Sequence, residues 1–367
     1  MNILIACDSF KDALDAHSVC RAIERGLRTA DPSVKTRIFP LTDGGEGLSE
    51  ILNFHLGLKT VEIEVHDPLF RKIKTNYNIS ADGKTAFIEM AKAAGLQLLT
   101  SEERNPLKTT TFGVGEMIND ALRNGAKRIT IGIGGSATND LGIGMAAALG
   151  WQFLDKNKEK LSPIGGSLGK IEKITPPQYL WDKSIIFEVI CDVKNPLLGK
   201  TGAAHVYARQ KGANDADIET LEAGALNFLK VTNVEKIETE GAGAAGGLGF
   251  GAMLFLNATL KSGIETLMDL TDFDKQVEWA DIIFTGEGRL DEQTAHGKLI
   301  SGIISRVQQK PVIALCGAVE ATPQYLMDLG LKAAFSIAQK PSTLDEALFL
   351  TNENLEKTAF NIGRLLF

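Results

Sequence analysis

The chain has 367 residues, 44% of them hydrophobic and 23% charged, which suits two domains with ample apolar core at roughly 100–200 residues per domain. Its formal net charge of −7 argues against non-specific binding to nucleic acid or to an acidic membrane, both of which need basic surface. No apolar run approaches the roughly 20 residues of a membrane span. The N-terminus shows no signal-peptide pattern, and the four cysteines and five histidines show no zinc spacing, so a soluble cytoplasmic protein without a transition-metal site is expected.

Residues 1–60 read β-α-β-α. Asn2–Cys7 is a strand, and Ser18–Ala30 is a helix with Val19, Ala22, Ile23, Gly26 and Leu27 on one face. Lys35–Leu41 is a second strand, and Gly44–Leu56 is a helix entered through Asp43-Gly44-Gly45-Glu46-Gly47. The period changes near residue 60, and the second domain is taken to start at about residue 62. Val61–Val65 and Ile73–Ile79 alternate strictly, and Ala81-Asp82-Gly83-Lys84 turns the chain into Thr85–Met90, as in antiparallel sheet. Gly113–Asn124 has helical spacing and ends in an Asn124-Gly125 stop signal.

Residues 128–150 read RITIGIGGSATNDLGIGMAAALG. Ile129, Ile131 and Ile133 form a buried strand, Gly134 and Gly135 turn the chain, and Ser136, Thr138, Asn139 and Asp140 are helix-starting residues before a short helix, Met145–Leu149. A strand, a glycine turn and a helix start leave N–H groups free to meet an anion. Further on, 155–183 reads as irregular surface, Ile185–Cys191 as a strand and Asp192–Ala203 as a polar loop. Residues 204–230 read as helix, as does Gly241–Ala258 after a glycine-rich start. The βα pattern returns with strands Ala280–Thr285, Lys310–Cys316 and Ala333–Ile337. Its helices are His296–Val307, Pro323–Leu329 and a capped C-terminal one from Ser342 or Thr343.

The predicted fold class is α/β with two domains. Residues 1–61 and 279–367 form a discontinuous Rossmann-like or flavodoxin-like parallel-sheet domain, and residues 62–278 form a mixed α/β domain inserted in it. The active site is expected in the cleft between them.

Several apolar runs end in an acidic or glycine-rich turn: Asp8-Ser9-Phe10-Lys11, the 43–47 turn, the 134–140 turn, Cys191-Asp192, GAGAAGGLGFG at 241–251 and TGEGRLDEQT at 285–294. Ligands of open α/β sheets bind outside the carboxyl ends of the strands, so these turns are candidate site elements. The acids Asp8, Asp43, Glu46, Asp140, Asp192, Glu287 and Asp291 stand near the cations Lys11, Lys194, Arg289 and Lys298. Phosphoryl transfer uses such a mixture, with acids for Mg²⁺, cations and N–H groups for the phosphoryl charge, and a carboxylate for the attacking hydroxyl. Asp192 follows a seven-residue apolar strand, where desolvation would raise a carboxylate toward the range useful to a base. The common nucleotide motifs fail. Gly199-Lys200-Thr201 lacks the first glycine of a P-loop, with Lys194 in its place, and the GxGxxG match at Gly241 follows a poor strand.

DSFK at 8–11, TDGGEG at 42–47, GGSATND at 134–140, CDVKNPLLG at 191–199, GAGAAGGLG at 241–249 and GEGRLDEQTAHGK at 286–298 together resemble the type I bacterial glycerate kinases, from the first strand to the last helices. The resemblance implies ATP- and Mg²⁺-dependent phosphorylation of D-glycerate, usually at the 2-hydroxyl, in glyoxylate or sugar-acid catabolism. On that reading Asp192, Lys11 and Arg289 are catalytic. Ser9, Gly44, Gly45, Gly134, Gly135, Ser136, Thr138, Asn139, Gly243, Gly246, Gly247 and Lys298 bind substrate or phosphate, and Asp43, Asp140 or Asp291 holds Mg²⁺. One departure stands out: Leu141 occupies a position where that family commonly has glycine. The expected partners are D-glycerate and ATP, with no nucleic acid and no membrane, and a homodimer is left open. Three alternatives remain: the same enzyme class giving 3-phosphoglycerate, an NAD(P)-dependent hydroxy-acid oxidoreductase, and a non-catalytic two-domain solute-binding protein.

Overall fold

The computed structural model describes residues 1–42, 48–178, 181–234, 239–291 and 298–367, without the side chains of Ser49 and Lys298. In chain order its strands are β1 (Asn2–Ile5), β2 (Lys35–Ile38), β3 (Lys59–His66), β4 (Lys72–Ile79), β5 (Thr85–Glu89), β6 (Arg128–Gly132), β7 (Gln152–Leu154), β8 (Lys173–Thr175), β9 (Ile186–Ile190), β10 (Thr259–Lys261), β11 (Ile282–Thr285), β12 (Arg289–Leu290), β13 (Val312–Cys316), β14 (Ala318–Val319) and β15 (Ala333–Ser336). The architecture is α/β. The chain divides into two compact units, Met1–Asp43 with Gly263–Phe367, and Gly44–Ser262.

The first unit holds a parallel sheet of order β15-β13-β11-β1-β2. Ile3, Leu4 and Ile5 are fully buried, as are Ile283 and Phe284, because a parallel sheet covered by helices on both faces buries every side chain of its central strands. The helix Ala16–Ala30 is capped by the Asp15 carboxylate, which accepts from the Ser18 N–H at 2.8 Å, and it buries the apolar stripe read from the sequence. From β1 the chain steps outward to β2, but from β11 it steps the other way to β13 and β15. The strand order therefore reverses between β1 and β11, which is where open α/β sheets form a ligand crevice at their carboxyl edge.

The second unit holds a mixed sheet of order β10-β9-β6-β5-β4-β3. β3, β4 and β5 are antiparallel, as the alternation and the Asp82-Gly83 turn require. β5, β6, β9 and β10 are parallel, with Glu89, Gly132, Ile190 and Lys261 level at their carboxyl ends. Ile129, Ile131, Phe187 and Val189 face the main core, joined by Met117, Ile118, Met145, Phe228 and Phe255 from the helices.

One region differs from the sequence reading. Residues 155–183 are not all irregular: β7 and β8 pair antiparallel around them, with Phe153 buried, and Gly165–Lys170 makes a 3₁₀ turn. Three-residue strands carry too little pattern to be read locally. The two compact units divide at 43/44 and 262/263. The helices Gly263–Leu270 and Phe273–Trp279 belong with the parallel sheet. There the Phe273 ring lies 5.3 Å from that of Phe39, and the Arg37 guanidinium stacks 4.0 Å over Trp279.

Candidate active site: strand carboxyl ends in each unit

In the second unit the site is built on the turn that leaves β6. Gly134 and Gly135 are exposed, and a side chain added at Gly134 would meet no atom within 4 Å. Gly135 has φ 72°, a left-handed conformation that glycine adopts without strain. Its carbonyl accepts from Leu96 N at 2.9 Å, whereas among the described residues no acceptor lies on the N–H groups of Gly134 and Gly135. Two adjacent exposed donors at the end of a parallel strand are suited to a phosphate oxygen.

The rest of the motif points inward. Ser136, Thr138, Asn139 and Asp140 are all buried. The Ser136 hydroxyl accepts from Thr138 N at 3.1 Å and lies 3.1 Å from the Thr138 hydroxyl and 3.3 Å from Ala245 O. Asn139 Nδ2 is buried without a partner among the described residues. Asp140 is 0% exposed. Its Oδ2 accepts from Thr111 N at 2.7 Å, the Thr111 hydroxyl at 2.9 Å and Gly144 N at 3.2 Å, while Oδ1 accepts from Gly142 N at 3.1 Å. Burial raises its pKa, and those four donors work against the rise. The carboxylate on which the sequence reading places a metal-ligand role ties a loop to a helix start, with three donors on Oδ2 and one on Oδ1.

The loops CDVKNPLLG and GAGAAGGLG interlock with this one. Gly243 donates to Asn195 O at 3.0 Å and Gly247 to Gly243 O at 3.3 Å, so these two N–H groups are not the free phosphate donors expected from the sequence. The glycines serve close approach instead. A Cβ on Gly243 would lie 2.1 Å from Pro196 O, and one on Gly246, at φ 67°, would lie 2.1 Å from Thr138 O. Leu141 N donates to Gly246 O at 3.1 Å. Leu141 has φ 52° and is buried, which explains the glycine common at this position in the family that the motifs resemble. Here leucine takes the left-handed conformation, at roughly 1–2 kcal/mol, and offsets it by burying its side chain beside Gly247.

Asp192 stands two residues past β9, half-buried, and accepts from the Ser262 hydroxyl at 3.2 Å. Ser262 follows β10, so the neighbouring carboxyl ends of β9 and β10 bring the two together. Cys191 is half-buried, and its thiol donates to Val193 O at 3.3 Å beside Gly241. Lys194 reaches away to Glu240, with 78% of its side chain exposed.

In the first unit the expected residues collect where the strand order reverses. Asp8 N donates to Gly286 O at 2.9 Å, and Asp8 Oδ1 accepts from Ser9 N at 2.7 Å. Ser9 and Lys11 are exposed, and the Lys11 backbone passes close to Gly288. β12 pairs with β14, which fixes Arg289 opposite Ala318. Arg289 Nε lies 3.3 Å from Asp291 Oδ2 and its Nη2 2.6 Å from Glu320 Oε2, with 62% of the side chain exposed. Asp43, Gly44 and Gly45 lie outside the described residues, and so does the side chain of Lys298.

Sequence reasoning missed the groups that hold the turn in shape. Thr109 donates to Ala137 O at 2.9 Å, Thr110 to Pro163 O at 2.6 Å, and Thr111 carries the Asp140 contacts. Three successive threonines before a helix were the one available signal. Lys211 Nζ donates to Thr138 O at 2.7 Å, and nothing in the polar segment around it marks it as buried.

Comparison with known proteins gives a consistent result. The sequence profile of the Glycerate kinase family matches residues 3–367. A Bacillus cereus protein named glycerate kinase is 43% identical over 372 residues, covering 99% of this chain and 97% of that protein. An Escherichia coli protein named glycerate 2-kinase is 40% identical over 376 residues, covering 100% and 98%. A crystal structure from Salmonella typhimurium LT2, provisionally designated glycerate kinase 2, has a TM-score of 0.87 at 39% identity and covers 100% of this chain and 98% of its own.

Proposed function

From the premise that this chain belongs to the glycerate kinase family, we propose that it transfers the γ-phosphoryl group of ATP to the 2-hydroxyl of D-glycerate, giving 2-phosphoglycerate in the cytoplasm. The observation that carries the reading is the full-length match to proteins named glycerate kinase, one of them named a glycerate 2-kinase.

The geometry supports a division of roles among the chain's own residues. Gly134 and Gly135 offer two N–H donors to a phosphate oxygen, in a turn held rigid by Thr109, Thr111 and Asp140. Donors fixed before the reaction need no reorganisation as charge develops, which is the main way proteins lower such barriers. Asp192 is the base in this reading. Its carboxylate is half-buried, and the Ser262 hydroxyl on Oδ1 orients it toward accepting the proton of the attacking hydroxyl. Lys11 and Arg289 are the cations for the glycerate carboxylate or the transferring phosphoryl group, and both are exposed. Arg289 is preset by Asp291 and Glu320, whose carboxylates hold its guanidinium plane.

Mg²⁺ is the ion a kinase of this class implies. Among the described residues there is no group of three or more His, Cys, Asp or Glu that could hold a metal. Mg²⁺ is usually held through one or two carboxylates with waters and substrate phosphates, so single acids are the relevant test. Asp140 does not fit this reading, because it is 0% exposed and already accepts from four protein donors. Asp291 fits, with a partly exposed carboxylate at the strand-reversal edge, and would hold the ion. When bound, Mg²⁺ neutralises charge on the phosphate oxygens.

The test is ADP release from ATP and Mg²⁺ with and without D-glycerate, followed by ³¹P and ¹³C NMR of the product. Glycerate-dependent ADP with phosphate on C2 is expected. Phosphate on C3 keeps the class and changes the regiochemistry, and no ADP above the glycerate-free blank overturns the substrate.

A further inference from the structure

Beneath the 134–140 loop lies a lysine that the proposed chemistry does not use. Lys211 ends the short Arg209–Lys211 turn and is only 2% exposed. The next residue, Gly212, has φ 93°, and a Cβ there would collide with Arg104 O at 2.1 Å, so the backbone that delivers the lysine is tightly fixed. Nζ donates to Thr138 O at 2.7 Å and to the Ser136 hydroxyl at 3.3 Å. Both acceptors belong to the inward side of the loop whose outward side carries Gly134 and Gly135.

A buried ammonium is a poor way to fill space. Burial draws the Lys211 pKa down to about 7, against the pull of the Asp140 carboxylate, so holding the proton costs folding free energy. An apolar side chain of the same length would avoid that cost, since buried charges are often replaced by hydrophobic groups with no loss of stability. What lysine supplies and methionine cannot is a donor for the Thr138 carbonyl and the Ser136 hydroxyl. These two atoms set the course of the chain between the glycine turn and Asp140.

We propose that Lys211 is a positioning residue for phosphoryl transfer: by bonding Thr138 and Ser136 it fixes the shape of the 134–140 loop and so the aim of the Gly134 and Gly135 N–H groups. The inference rests on the reading of that turn as the phosphate site. A displacement of about 1 Å in such groups can reduce a rate roughly 10²-fold, so a lysine that touches no substrate can still govern turnover.

The test compares the full-length chain with Lys211→Met and Lys211→Gln. Unfolding midpoints are measured by circular dichroism, and kcat and KM for ATP and for D-glycerate are measured with Mg²⁺. Lys211→Met is expected to fold with a midpoint no lower than the parent's. Its kcat should fall by about 10- to 100-fold with the KM for ATP unchanged, the pattern of an interaction lost in the transition state. Lys211→Gln keeps an N–H donor on a chain one bond shorter and is expected to recover part of that loss. A folded Lys211→Met with the parent's kcat overturns the proposal. So does a failure of both variants to fold, because the lysine then serves stability alone. A parent chain without glycerate-dependent ADP release is a separate result, seen before any variant is made, and it removes the underlying reading.

Discussion

At the residue scale, the acids fall into two physical kinds that the sequence does not distinguish. Asp140 and Asp192 both follow apolar strands. Asp140 is closed off by four donors and serves the loop, whereas Asp192 stays half-buried with Ser262 on one oxygen. Asp192→Asn should therefore lower kcat by about 10²–10⁴-fold, the range of general base catalysis, with the unfolding midpoint little changed. A variant that keeps its rate would remove Asp192 from the chemistry. Arg289 is held by carboxylates on two sides, an arrangement that uses the fork of a guanidinium. Arg289→Lys keeps the charge and loses the fork, so steady-state kinetics should show at least a tenfold fall in kcat/KM. Full activity would exclude Arg289 from the site. The nature of these residues could be read from the chain, but their exposure could not, because burial depends on which other loops cover them.

At the element scale, the long patterns were legible and the short ones were not. The strands β1, β6, β11 and β13 announce themselves as β-branched apolar runs, and the β3–β4 hairpin announces itself by alternation. The β7–β8 ribbon and β10 are three residues per strand and carry no period of their own. The glycine-rich stretch at 241–251 shows a subtler failure. Its composition suggests backbone donors to a ligand, yet Gly243 and Gly246 are glycines because Pro196 O and Thr138 O occupy the space of a Cβ. Gly246→Ala combines that collision with a left-handed φ and should destabilise the chain by about 2–4 kcal/mol, measured by urea unfolding. If the alanine variant unfolds at the parent's urea concentration, the loop contact is softer than its geometry implies.

At the scale of the whole molecule, each unit closes its own core. Ile3, Ile23, Phe284, Leu315 and Leu355 belong to one, and Ile131, Met145, Val189, Phe228 and Phe255 to the other. Lys211 gives global stability a signature in pH. Its folded pKa of about 7 lies below the ordinary 10.5, so between those values the unfolded chain binds a proton that the folded chain does not. Stability must then rise with pH across that window, and the full cost of the buried charge applies below pH 7. Relative to Lys211→Met, the parent should gain up to about 1.4 kcal/mol per pH unit from pH 7 upward, read from paired urea unfolding curves. A constant difference between the two proteins from pH 6 to 9 would contradict this.

By itself the sequence determined the α/β class, the two kinds of sheet, the motif turns at strand ends and the family to which those motifs belong. These follow from periodicity, capping and glycine placement, which act over a few residues. Only the tertiary structure decided which turn atoms remain exposed, which glycines serve loop packing, and that a lysine from a polar segment lies under the Ser136–Asp140 loop. Those outcomes depend on contacts between residues tens of positions apart, where the space left by one loop fixes what its neighbour can do.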